Sequence, residues 1–189
     1  MSSLREKYKK EIIPELKKDL GLKNVLECPK VEKVVINVGV GRWTTKDTKR
    51  KDEVLKLVSD DLMLITGQKP QICPAKKSVS GFSLREGMPV GLKTTLRKKR
   101  MYDFLERLIN VVLPRIRDFQ GVKASSIDKE GNLTIGLPEQ LVFPEISGDD
   151  TDFFFGMEIT ITTTAKNRDE GVALLKKMGV PFSGLEKKE

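Results

Sequence analysis

The side chains whose types and spacing could do chemistry in this chain lie in one stretch, residues 69–100. Lys69, Lys76, Lys77, Arg85, Lys93, Arg97, Lys98, Lys99 and Arg100 stand there against a single acid, Glu86. That excess equals the +8 net charge of the whole 189-residue protein, so bases and acids cancel everywhere else. Ammonium and guanidinium groups at this density neutralise phosphates, and the interleaved Gly, Ser and Pro let backbone approach a ligand closely. The chemistry is polyanion binding. The competing reading is a solvated loop running into a basic helix start. Concentration of the excess in one block favours nucleic acid. Residues 1–100 carry 24 basic and 12 acidic side chains and residues 101–189 carry 11 and 15, so the partner is expected on the first half.

Other chemistries fare worse. The sequence has no histidine, which removes His-based acid–base catalysis, Ser-His and Cys-His nucleophile pairs and the usual zinc sites. Cys28 and Cys73 are two lone thiols without metal-ligand spacing, so no disulfide framework is expected. Gly39-Val-Gly41 suggests a dinucleotide fingerprint, but the third glycine position is Thr44. Asp149-Asp-Thr-Asp152 lacks the rest of a calcium loop and reads as an acidic surface loop. No cofactor is expected. An enzyme acting on phosphorylated substrates is the second class of function, and it would rest on Lys and Asp alone. A membrane-surface module is the third, and the basic block has no apolar helix of its own to insert. No apolar run approaches the ~20 residues of a membrane span, and the N-terminus lacks a signal-peptide core, so a cytoplasmic protein is expected.

The elements that must position the basic block follow from periodicity. Leu4, Tyr8, Ile12 and Leu16 recur every four residues, behind a capping-box spacing at Ser3 and Glu6; Pro14 should kink this helix and Gly21 end it. Residues 31–40 alternate as a strand, Val34, Ile36, Val38 and Val40 against Lys33, Val35, Asn37 and Gly39. Residues 48–65 read as a helix with Val54, Leu55, Val58, Leu62 and Ile65 inward and Gly67 as its C-cap. Residues 71–75 form a short strand that Pro74 confines to an edge or bulge, 76–88 a long excursion, and 89–97 a clear strand. A helix over 98–117 buries Met101, Phe104, Leu105, Leu108, Ile109, Val112 and Ile116. A hairpin over 126–135 turns at Gly131-Asn132, and 141–146 is a Pro-interrupted turn and edge segment. A strand over 157–164 sets Met157, Ile159 and Ile161 against Glu158, Thr160, Thr162 and Thr164. Asn167 to Glu170 cap a last helix that buries Val172, Leu175 and Met178.

The sum is an α+β fold, a mixed or antiparallel sheet with helices packed on one face and the other face open for RNA. Threonine hydroxyls, amides and lysines on that face suit sugars, base edges and phosphates. An ordinary wet sheet face also favours threonine, and the basic block tips the balance to RNA.

Several blocks then resemble one family. Val31-Glu-Lys-Val-Val-Ile-Asn-Val-Gly-Val-Gly41, Thr66-Gly-Gln-Lys-Pro70, Ala75-Lys-Lys-Ser-Val-Ser-Gly-Phe82, Arg85-Glu-Gly-Met-Pro-Val-Gly91, Lys93-Thr-Thr-Leu-Arg97, Leu113-Pro-Arg-Ile-Arg-Asp-Phe119, Phe143-Pro-Glu-Ile146 and Ile159-Thr-Ile-Thr-Thr-Thr-Ala-Lys166 resemble, in family order, bacterial-type large-subunit ribosomal protein five. The resemblance implies one RNA-binding domain over 1–182, with 76–88 a protruding flexible loop and 183–189 a polar tail. It implies a monomer within the cytoplasmic ribosome that binds 5S rRNA and docks it onto the large subunit. It further implies contacts with large-subunit rRNA, peptidyl-site tRNA and, through an intersubunit bridge, a protein of the small-subunit head. Together with the sheet pattern it nominates Lys33, Asn37, Gly39, Gln68, Lys69, Lys93, Thr95, Arg97, Thr160, Thr162 and Thr164 for rRNA. For tRNA it nominates Lys76, Lys77, Ser78, Ser80, Gly81 and Arg85. The chain departs from the family at Arg42, where Glu is common, and at Phe153-Phe-Phe155, where an Arg usually precedes the Gly156 position.

Overall fold

A computed structural model describes residues 3–46, 50–147 and 153–183. The acidic stretch 149–152, the tail beyond 183 and the expected helix start at Thr48 lie outside the described residues. The fold is α+β, with helices and an antiparallel five-stranded sheet. The sheet strands are β1 (Val31–Gly39), β2 (Gln71–Pro74), β3 (Pro89–Leu96), β5 (Leu133–Leu137) and β6 (Met157–Thr163), in the order β2-β3-β1-β6-β5. A short parallel pair joins β4 (Val122–Lys123) to β7 (Phe182–Ser183). The chain groups into two compact units, one of Met1–Val34, Leu96–Ile135 and Thr160–Glu189, the other of Val35–Thr95 and Gly136–Ile159.

In the first unit two long helices each contain a turn of π-helix just ahead of a proline. The helix over 4–19 is α at Leu4–Lys7, π at Tyr8–Ile12 and α again from Ile13, with Pro14 in the first turn of the resumed helix. The helix over 98–115 repeats this, π at Leu108–Val112 and Pro114 in the following turn. Proline lacks an amide hydrogen and its ring collides with the carbonyl four residues back, and widening the preceding turn relieves that collision. The expected kink at Pro14 is therefore absorbed within a continuous helix. Ser3 makes no side-chain cap, so the capping box is unformed there. At the helix Arg168–Lys177, by contrast, the Asn167 side chain accepts the Glu170 amide (2.9 Å) and Glu170 accepts the Lys166 amide (2.9 Å).

Tyr8, Ile12, Leu16, Met101, Phe104, Leu105, Leu108, Val112, Leu174 and Leu175 are buried in this unit, with Val34, Leu96, Leu133 and Ile161 from the strands. Leu174 and Gly171 take the inward positions where Val172 was expected, and Ile116 leaves the helix in extended backbone. The expected 126–135 hairpin is reduced to a single bridge, Ile127 to Leu133. Its turn is built instead on Asp128, whose carboxylate accepts the amides of Glu130 (2.9 Å) and Asn132 (2.8 Å). The Thr163 amide and hydroxyl donate to Asn132 and to the Gly131 carbonyl, fixing the turn to the end of β6. Here two glycines touch: a Cβ on Gly171 would sit 2.5 Å from the Gly131 Cα. Gly171→Ala is expected to cost about 3 kcal/mol in chemical denaturation, because backbone, not a flexible side chain, occupies the space.

In the second unit the alternation of β1 and β3 holds. Ile36, Val38, Leu92 and Thr94 are buried, while Asn37, Lys93 and Thr95 are half-buried and Gly39 is exposed. The helix Lys51–Thr66 turns Val54, Leu55, Val58, Leu62 and Ile65 inward and ends at Gly67 in the left-handed region, φ 64°. Between β1 and this helix the chain forms a further short helix, Gly41–Lys46, in which the buried Thr44 donates to the Pro89 carbonyl (2.9 Å). That bond occupies the hydroxyl at the position where a dinucleotide fingerprint needs a glycine.

Candidate nucleic-acid interface

The second unit carries most of the nominated residues. β2 pairs antiparallel with β3, Gln71 opposite Lys93 and Cys73 opposite Gly91, and the register shifts at Pro74 as a proline in an edge strand requires. The loop from the helix C-cap is drawn in by Thr66, whose hydroxyl donates to the Leu62 carbonyl (2.6 Å) and accepts the Gln68 amide (3.2 Å). Gln68 then reaches β3, its Nε2 donating to the Thr95 carbonyl at 3.4 Å. Asn37, Gln68, Lys93 and Thr95 are thus all half-buried positions of one unit, with Gly39 and Lys69 exposed beside them in sequence.

The excursion 76–88 is a hairpin-like arch on β2 and β3. Its neck is closed by the Ala75 amide to the Met88 carbonyl (2.7 Å) and the Gly87 amide to the Ala75 carbonyl (3.0 Å). Val79 and Leu84 form a bridge above it, and a turn of 3-10 helix over Ser80–Phe82 ends on Ser83 at φ 51°. Lys76, Lys77, Ser78, Ser80, Gly81 and Arg85 are all exposed, and the Phe82 side chain is 77% exposed. Among the described residues none of Lys69, Lys76, Lys77, Arg85 and Lys93 forms an ion pair; those that do include Lys177 with Glu15 and Asp19, in the other unit.

In the first unit, Lys33, Thr160 and Thr162 are half-buried and Arg97 is exposed. The Thr160 and Thr134 hydroxyls lie 3.4 Å apart. Thr164 falls one residue beyond β6. Its hydroxyl accepts the Lys30 amide (3.1 Å) and its amide donates to the Lys30 carbonyl (2.9 Å), a backbone clamp. The basic run at Lys98, Lys99 and Arg100 is the exposed first turn of the helix over 98–115, and Lys98 itself is in the left-handed region at φ 56°.

Two features escaped sequence reasoning. Gln140, fully buried, holds both ends of a tripeptide: its Nε2 donates to the Phe153 carbonyl (2.6 Å) and its Oε1 accepts the Phe155 amide (2.9 Å). This explains the three phenylalanines. Phe155 is core, Phe153 stacks edge-on against Trp43 with centroids 4.8 Å apart, and Phe154 points outward. Gln140→Leu keeps the volume and strands two backbone groups, so a loss of about 3 kcal/mol is expected by urea denaturation. The second feature is a groove of ≈ 530 Å³ on the sheet, lined among others by Asn37, Gly39, Cys73, Gly91, Gly156 and Glu158.

No cluster of described residues is arranged to hold a metal ion, and no described helix is long and apolar enough to cross a membrane. Comparison with known proteins bears on the identity of the fold. A family model described as Ribosomal protein L5 matches residues 24–85, and a second, describing the C-terminus of the same ribosomal protein family, matches 89–182. Among similar chains, the large ribosomal subunit protein uL5 of Caldanaerobacter subterraneus is 52% identical, covering 97% of this chain and 99% of its own. That of Fusobacterium nucleatum is 54% identical over 93% of each, and that of a Thermoanaerobacter species 50% identical over 97% and 99%. With both family models in order along the chain and identity near one half over almost its whole length, the chain belongs to the ribosomal protein L5 family.

Proposed function

We propose that this protein binds 5S rRNA through the open side of its sheet and docks it onto the large subunit. Membership of the family makes it a structural protein of the large ribosomal subunit in the cytoplasmic ribosome, not an enzyme. The observation that carries the finer reading is the pairing of the exposed Lys69 and half-buried Lys93, neither in an ion pair among the described residues, with hydrogen-bonding groups in the unit of Val35–Thr95 and Gly136–Ile159. Lys69 and Lys93 neutralise phosphate, while Asn37, Gln68 and Thr95 offer amides and hydroxyl to sugars and base edges. Lys33, Arg97, Thr160 and Thr162 extend the same chemistry on residues of the other unit. Thr164 contributes through its clamp on Lys30 rather than through a free hydroxyl. The arch over 76–88 supplies the contact with peptidyl-site tRNA. Large-subunit rRNA and a protein of the small-subunit head complete the set of partners.

Asn37→Ala tests this assignment. It is expected to reduce the preference for 5S rRNA over a control RNA of equal length about ten-fold, with nonspecific affinity and thermal unfolding unchanged. Lower folding stability with the preference intact would assign Asn37 to the sheet and not to the RNA.

A further inference from the structure

Ten large apolar side chains are left exposed among the described residues, and they are not spread evenly. Leu57 (45%), Met63 (40%) and Leu64 (60%) share one helix, Lys51–Thr66. The core does not use them, since Val54, Leu55, Val58, Leu62 and Ile65 already fill the inward stripe of that helix. Leu57 and Leu64 are two turns apart, so they stand on one line along its outer face, about 10 Å from each other. Met63 lies on the same outer half. Single exposed apolar residues need no explanation, but a line of them opposite a complete core stripe does.

The charges beside that line have one sign. Glu53 precedes Leu57 by one turn, and Asp60 and Asp61 follow it by one turn. None of the three forms an ion pair with a described residue. The Asp61 carboxyl is held above its ordinary value, by partial burial first and by the charge of Asp60 second. Lys56 adjoins Leu57 in sequence and is therefore turned about 100° away from it around the helix. The outer face is thus an apolar line edged with uncompensated carboxylates, in a protein of net charge +8. Carboxylates repel phosphate, so neither RNA nor an anionic lipid surface fits. A second copy offering the same helix would set the same acids against one another. The complementary chemistry is an amphipathic helix with apolar residues at heptad spacing and lysine or arginine on either side of them.

We infer that the outer face of the helix Lys51–Thr66 docks a basic amphipathic helix of another protein, its apolar residues on Leu57 and Leu64 and its cations on Glu53, Asp60 and Asp61. The inference adds a protein-binding face to a surface otherwise assigned to RNA, and it does not depend on the 5S rRNA reading.

The test uses the full-length chain and a fluorescent three-heptad helical peptide, with leucine at the first and fourth heptad positions and lysine at the flanking ones. Anisotropy near 0.1 M KCl measures binding, so that charge is only partly screened. The wild-type chain should bind this peptide, and bind about ten-fold more weakly a peptide that keeps the lysines and carries serine for leucine. Leu57→Gln with Leu64→Gln keeps good helix formers and removes the apolar line. Glu53→Lys with Asp60→Lys reverses two exposed charges. Each pair is expected to weaken the leucine peptide about ten-fold, with thermal unfolding unchanged and 5S rRNA affinity within two-fold for the glutamine pair. Failure of the wild-type chain to bind the peptide, or equal binding by both double variants, overturns the docking face and leaves the 5S rRNA reading untouched. A ten-fold loss of 5S rRNA affinity with the glutamine pair would give the face to RNA instead. A wild-type dimer in sedimentation that the glutamine pair returns to monomer would give it to a second copy. Either result also overturns the inference.

Discussion

Replacing Lys33, Lys69, Lys93 and Arg97 together by alanine should weaken 5S rRNA binding about a hundred-fold near 0.1 M salt. It should also make the log–log salt slope less negative by about 3, since each phosphate neutralised contributes roughly 0.7–0.9. The effect is large because Lys69 and Arg97 are exposed and Lys33 and Lys93 half-buried, and none forms an ion pair among the described residues. No ion pair among the described residues is lost when they are truncated, only the packing of the half-buried Lys33 and Lys93 stems, so thermal unfolding should stay within a few degrees of wild type. Filter binding between 50 and 300 mM KCl measures both quantities. An unchanged slope would place these cations away from phosphate.

Replacing residues 78–86 of the arch by Gly-Gly should separate its role from that of the sheet. The deletion removes the Val79–Leu84 bridge, the Ser83 amide to Ser80 carbonyl bond (2.9 Å) and the Glu86 amide to Ser78 hydroxyl bond (2.9 Å), all internal to the arch. The neck at Ala75, Gly87 and Met88 stays, so stability should change little. The exposed ring of Phe82 and the guanidinium of Arg85 go with the arch. Retention of peptidyl-site tRNA on reconstituted ribosomes is expected to fall about ten-fold while 5S rRNA affinity stays within two-fold. Loss of 5S rRNA binding with the fold intact would transfer the arch to the 5S site.

Much of the fold was legible before the structure. Strand faces were readable because a period of two leaves little freedom: Val34, Ile36 and Val38 go inward, so Lys33 and Asn37 go outward. The break in that alternation at Glu32 and Lys33, both unburied between Val31 and Val34, shows in residue type as two consecutive charges. Helices were readable from their apolar stripes, but the response to Pro14 and Pro114 was not. A proline excludes the regular turn without saying whether a kink or a π turn replaces it. Gln140 was invisible because a glutamine beside Glu139 in a Pro-flanked turn reads as surface, and only the chain's return at Phe153 and Phe155 gives it partners. The hairpin at 126–135 misled because Leu133–Leu137 finds its pairing in the large sheet, not with its sequence neighbour.

The central claim, selective recognition of 5S rRNA, is tested most directly by competition. The full-length chain, immobilised at 150 mM KCl, is offered an equimolar mixture of transcribed 5S rRNA, a tRNA and a large-subunit rRNA fragment of 5S length, and the bound RNA is quantified. The account predicts 5S rRNA enriched at least a hundred-fold over the other two, the order expected when base and sugar contacts add to phosphate binding. Retention of the three in equal amounts would contradict it, leaving a basic surface that binds RNA by charge alone.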